Sequence, residues 1–225
     1  MRRRLADESG FTLVELLSTL VISMIVLFAL FSLVDNATRK QSVAVDRIEA
    51  NDRARVAIDN IGTQLRSRVC ISQTQGSLVS ASASQMEFFA SLGLTAESAT
   101  QSQRLVLERR RLTYRPAPNN DVVEESWVGS APAPALPPAT STTPTRTRTI
   151  LSNVALDGST PFFRYWALAG SPPQPTQPLD APVAAANLTK VARIDVNFVA
   201  GGRVAGVSTP LQTQILDRSP GCYFG

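Results

Sequence analysis

From Leu16 to Val34 the chain carries no charged residue, and this run of 19 constrains the fold more than any other feature. At about 1.5 Å per residue, a helix of that length spans about 28 Å, close to the hydrocarbon thickness of a bilayer. Lipid offers backbone N–H and C=O groups no partner, so such a segment is expected to be helical. Glu15 stands at the head of the run. A carboxylate at the middle of a membrane costs about 2.5–3.5 kcal/mol, and less near an end. Two readings follow: a helix-start glutamate at headgroup level, favoured by the N-terminal dipole, or an acid that awaits a cationic partner on another subunit.

The run is preceded by a short leader with Arg2-Arg3-Arg4 and Asp7-Glu8, and then by Ser9-Gly10-Phe11-Thr12-Leu13-Val14-Glu15. The stretch Gly10–Glu15, followed by an uncharged span, resembles the processing site of type IV prepilins and type II secretion pseudopilins. The resemblance implies removal of residues 1–10 by a prepilin peptidase that cuts between Gly10 and Phe11. It implies N-methylation of Phe11, and it makes Glu15 the family's acidic fifth mature residue. The physical chemistry agrees. Cutting after Gly10 frees an α-amine four residues from Glu15, and in a staggered bundle one subunit's carboxylate can meet another's amine at low dielectric, where attraction is stronger than in water. An unpaired charge there is penalised, so register between neighbours is selected. Gly10 has no side chain to obstruct a peptidase.

A secretory signal peptide is the competing reading of the basic leader. The apolar run exceeds the usual length for one, and Val34-Asp35-Asn36 is a poor cleavage site. The arginines favour a cytoplasmic N-terminus, although Arg39, Lys40, Arg47 and Arg53 beyond the span weaken the bias. The expected location is therefore a single-pass cytoplasmic (inner) membrane protein with an extracytoplasmic head, later part of a cell-surface or periplasmic filament.

From Asp35 to Val69 there is no proline and one glycine, Gly62. Ile58, Ile61, Leu65 and Val69 recur at helical spacing, while Asp46, Arg47, Glu49, Asp52, Arg53, Arg55 and Asp59 wet the other side. One helix from about Thr12 to about Val69 is expected, with residues 11–34 as membrane or filament core and 35–69 packed on a head; two helices broken near Asp35-Asn36 are the alternative.

Beyond Cys70 the composition shifts, and residues 70–225 are expected to form a β-rich head. Candidate strands are Gln85–Ala90, Arg104–Tyr114, Ser126–Val128, Thr149–Val154, Phe162–Leu168, Val191–Ala200 and Leu211–Leu216, which short turns would make antiparallel. The fold class is α+β, a long helix and then a sheet against its second half; the resemblance makes it type IV pilin-like. Residues 131–144 and 171–182 hold 10 of the 15 prolines, so both are expected as extended loops rather than central strands.

Cys70 and Cys222 are the only cysteines, and their even number outside the cytoplasm suggests one disulfide, with two separate thiols as the alternative. Arg104, Arg109, Arg110, Arg111 and Arg115 form a basic run that a nucleic-acid partner could use, but on a strand it splits between faces. A solvated edge strand protected by charge is the expected form. Asp121, Glu124 and Glu125 with Asn119-Asn120 offer oxygen ligands for a hard cation, although a polar loop is the better expectation.

Net charge is only +4, from 22 basic and 18 acidic residues, and there is no histidine. The usual general base is therefore missing, and no phosphate loop, nucleophile elbow or metal-ligand spacing is present. No enzymatic activity, cofactor or metal is expected. In layout and size the head is similar to minor pilins and pseudopilins of the tip complex, the larger J- or W-like subunits, which implies assembly with other pilins, placement near a filament tip and initiation of assembly. The alternative is a membrane-anchored binding module for adhesion or DNA capture.

Overall fold

A computed structural model describes residues 12–70, 76–96, 103–128, 142–202 and 208–216. The chain divides into two compact units, residues 1–45 and 46–225. One helix, α1 (Leu13–Arg66, 54 residues), runs without a break at Asp35-Asn36. In the first unit its side chains are exposed throughout the apolar run.

Within the second unit the helix buries Ala50, Ala54, Ala57, Ile61 and Leu65, at spacings of three and four. This stripe is richer in alanine than the expected one. Small side chains let the backbone approach the sheets closely, and Ile58 is only partly buried beside them. Asp46, expected on the wet side, is buried. The helix stops three residues short of Val69 because the sheet captures the next segment. Arg68 bridges Ala90, Val69 N–H donates to the Phe89 carbonyl (3.0 Å) and Ser91 N–H donates to the Ser67 carbonyl (3.1 Å). Ser67 Oγ and Arg68 Nε donate to the freed carbonyls of Gln64 and Leu65, at 2.8 Å each.

Where one sheet was expected, the described residues form two, each with five strands and every pairing antiparallel. The first is β1 (Leu78–Ala81), β2 (Gln85–Ala96), β3 (Gln103–Arg115), β4 (Asp121–Val128) and β5 (Arg146–Ser152), in that order. The second orders β10 (Ser208–Leu216), β9 (Val191–Gly201), β7 (Phe163–Ala169) and β8 (Gln174–Leu179), with β6 (Val154–Ala155) paired to β9. A short helix, α2 (Ala185–Leu188), precedes β9. Each expected strand is present, mostly longer than expected; Thr149–Val154 is divided between β5 and β6. β1 was not expected, and β8 lies inside the proline-rich segment 171–182. Its place at a sheet edge explains the tolerance, because an edge strand can spare the donors that Pro175 and Pro178 lack. Most of segment 131–144 lies outside the described residues.

One apolar core joins helix and sheets. Phe162 sits at its centre, stacked on Tyr114 (5.3 Å between centroids) and Phe198 (5.7 Å) and edge-on to Phe163 (4.8 Å). The seam between sheets is also hydrogen-bonded: Phe163 N–H donates to the Ala83 carbonyl (3.0 Å) and Tyr165 Oη–H to the Ser82 carbonyl (2.9 Å). Burial of Tyr165 raises the pKa of its phenol.

Candidate functional site

Two regions carry the residues singled out above: the start of α1 and the arginine-rich strands of the first sheet.

Gly10 and Phe11 lie outside the described residues. Thr12 is the N-cap of α1. Its carbonyl accepts the first intrahelical bond from Leu16 N–H (3.1 Å), and its Oγ1 accepts from Glu15 N–H (3.3 Å). Glu15 is thus the third helical residue of a Thr-x-x-Glu capping arrangement, in which the threonine satisfies one of the orphan donors of the first turn. That spacing is a local signal in the sequence, separate from the family resemblance. Glu15 is exposed, and it has no cationic partner among the described residues. After it Leu16, Leu17, Leu20, Val21 and Ile22 are all at least half exposed, as are Phe28 and Phe31, both more than three-quarters. By length and composition α1 can cross a membrane.

The basic run behaves differently from its expected form. β3 is the middle strand of its sheet, not an edge. The alternation of faces does split the run. Arg110 turns to one side with Glu108 (2.6 Å) and Glu124 (3.6 Å). Arg109 and Arg111 turn to the other, where Glu87 lies 3.3 Å and 3.1 Å away and Arg111 also meets Glu125 at 3.3 Å. Arg109 is 1% exposed and Trp127 2%. The two guanidiniums lie over the Trp127 ring, 4.4 and 4.8 Å from its centroid. Arg115 holds Asp121 through two bonds of 2.8 and 2.6 Å, which lowers the carboxyl pKa. Arginines can occupy a central strand here because facing strands supply carboxylates in register: Glu87 opposite Arg111, and Glu125 opposite it on the other side. Arg104 is in β3, opposite Thr95; its side chain is outside the described set.

The same pairing corrects the polar-loop reading of Asp121, Glu124 and Glu125. All three belong to β4, and Glu124 and Glu125 face opposite ways. Glu124 accepts from Gln64 of α1 (3.1 Å) and pairs with Arg148 of β5, while Asn60 Oδ1 accepts from Gln64 (2.6 Å) and Arg148 (3.1 Å). These contacts fix helix to sheet. No grouping of three metal-ligating side chains occurs among the described residues. Cys70, half-buried just past α1, is not a free thiol. Cys222 lies outside the described residues.

Residues 5–31 match the family model of the prokaryotic N-terminal methylation motif. Neither the curated proteins nor the solved structures contain a match to the chain. The matched segment takes in the second half of the leader, with Gly10, Phe11, Glu15 and most of the uncharged run. The motif implies processing by a prepilin peptidase and assembly with other pilins, and with the apolar helix it is consistent with a membrane-anchored, single-pass protein. A chain of α+β, type IV pilin-like architecture, whose long helix opens on an exposed apolar run headed by a carboxylate without a cationic partner among the described residues, thus bears a prokaryotic N-terminal methylation motif, the type IV prepilin-like signal.

Proposed function

We propose that the chain is a minor pilin or pseudopilin, a structural subunit of a type IV pilus or type II secretion-like filament, placed at the tip and active in starting assembly. It enters the membrane with its N-terminus inside, is cut between Gly10 and Phe11, is methylated on Phe11, and then exchanges lipid for neighbouring helices. The observation that carries this reading is Glu15: a carboxylate without a cationic partner among the described residues, at the head of an apolar run, Leu16–Val34, whose side chains are all exposed. Both needs are met by one kind of partner, a second helix that brings a free α-amine and an apolar flank. The match of residues 5–31 to the methylation motif supports it.

Intact-mass measurement of the mature protein tests this. The expected species begins at methylated Phe11; a retained Met1, or a terminus elsewhere, overturns the reading. For the alternative of DNA capture, the basic run offers little. Arg109, Arg110, Arg111 and Arg115 are each paired with carboxylates, so their charge is already neutralised.

A further inference from the structure

On the second sheet, Arg164 of β7, Asn197 of β9 and Gln212 of β10 line an open recess of about 340 Å3, bordered by Asp157, Thr160, Pro210 and Leu211. Asn197 and Gln212 are directly opposed in register. Asp157 and Thr160 come from one tight turn, where Thr160 N–H donates to the Asp157 carbonyl (3.0 Å) and Gly158 takes φ +59°. Such a backbone favours glycine and holds the turn in place beside the strands.

Two features of this recess point to a ligand. Arg164 has no carboxylate partner among the described residues. Its cross-strand neighbour Asp195 instead accepts from Trp166 Nε1 (2.7 Å) and pairs with Arg193 Nε (3.0 Å). The Arg164 guanidinium rests 5.3 Å from the centre of the Trp166 ring, which steadies it without neutralising it. In addition, Asn197 is 6% exposed, and its buried Nδ2 has no hydrogen-bond partner among the described residues. Buried donors in native proteins are nearly always satisfied, by protein, water or ligand.

We infer that this recess binds an uncharged, hydroxyl-rich ligand of sugar-ring size. Each hydroxyl both donates and accepts. The lining supplies a carboxylate that accepts, a guanidinium that donates, and a hydroxyl and two amides that do both. One cation and one anion cancel, so a phosphate would face Asp157 and an ammonium would face Arg164. An apolar ligand would leave Asn197 unsatisfied. Pro210 offers an apolar shelf for a ring's C–H face. The volume lies at the lower end of the range of about 300–1,000 Å3 for small-molecule sites. The inference does not depend on the filament reading.

The test uses the full-length protein in a zwitterionic, sugar-free detergent, with ligand-observed NMR titration. The probes are methyl glycosides of glucose, galactose, mannose and N-acetylglucosamine, with inorganic phosphate as comparison. At least one glycoside is expected to bind saturably. Gln212→Ala and Arg164→Ala should each weaken it by about tenfold or more, with no change in unfolding midpoint. Asn197→Leu should abolish binding and leave the midpoint equal or higher, because it removes an unsatisfied donor; should that variant misfold, the Gln212 and Arg164 variants decide. Phosphate binding without glycoside binding overturns the inference, as does absence of any saturable binding or binding indifferent to Gln212→Ala and Arg164→Ala. The N-terminal mass of the same preparation reports separately on processing, so the two readings fail independently.

Discussion

Trp127 offers the sharpest test of how the first sheet tolerates its arginines. The indole is almost wholly buried beneath two guanidiniums, at 4.4 and 4.8 Å, and its Nε1 has no acceptor among the described residues. Truncation to alanine removes the ring and leaves a cavity, a change that costs about 3–5 kcal/mol in buried sites. Within that, the two cation–π contacts account for about 0.5–2 kcal/mol each. Phenylalanine keeps a π face and most of the volume. It loses some ring quadrupole and packing, but it also removes a buried donor whose unsatisfied state costs about 1–3 kcal/mol. The opposed terms leave Trp127→Phe within about 1 kcal/mol of wild type, and Trp127→Leu, with no π face, between the two. Urea unfolding of the solubilised full-length protein, followed by far-UV circular dichroism, measures all three; total stabilities of about 5–15 kcal/mol make the alanine loss easy to read. A phenylalanine variant as damaged as the alanine variant would refute the reasoning, since the indole N–H rather than the π face would then be the contributor.

Three further outcomes are expected. Glu15→Ala should leave insertion and cleavage intact while lowering incorporation into filaments, scored by immunoblot of sheared filaments against membranes; unchanged incorporation would remove Glu15 from the assembly mechanism. The pKa of Asp121 is lowered mainly by its hydrogen bonds to Arg115, so the stabilisation is full above the unfolded value of about 3.9 and is lost as pH falls through the lower folded value. Asp121→Asn should therefore be less stable than wild type at pH 6, with the gap closing below about pH 4 in urea titrations; a constant gap would contradict this. Cys70 is proposed to pair with Cys222. Non-reducing peptide mapping should recover that cross-linked pair, and Cys70→Ser should cost up to about 4–5 kcal/mol for a closed loop of about 150 residues.

The N-terminal third was legible because its information is local. An uncharged run of membrane length, a lone carboxylate and the Gly10-Phe11 junction each carry meaning within a few residues, and the helix, its continuity and the motif all follow from them. The alternation of β9, with Ile194, Val196 and Phe198 facing inward, was equally local. What neighbours decide was not. Arg109–Arg111 read as an exposed edge, because no local signal says that β2 and β4 flank them with Glu87 and Glu125 at matching register. Asp46 read as wetted, and Ala50, Ala54 and Ala57 were not part of the expected apolar face, because burial of a helix face is set by how closely a sheet can approach it. The recess at Asn197 joins residues from three strands and a turn, separated by up to 55 positions along the chain, from Asp157 to Gln212. Charge and hydropathy patterns fix which element forms; strand pairing, which brings distant residues within a few ångströms, decides which charges are buried and where a ligand could sit.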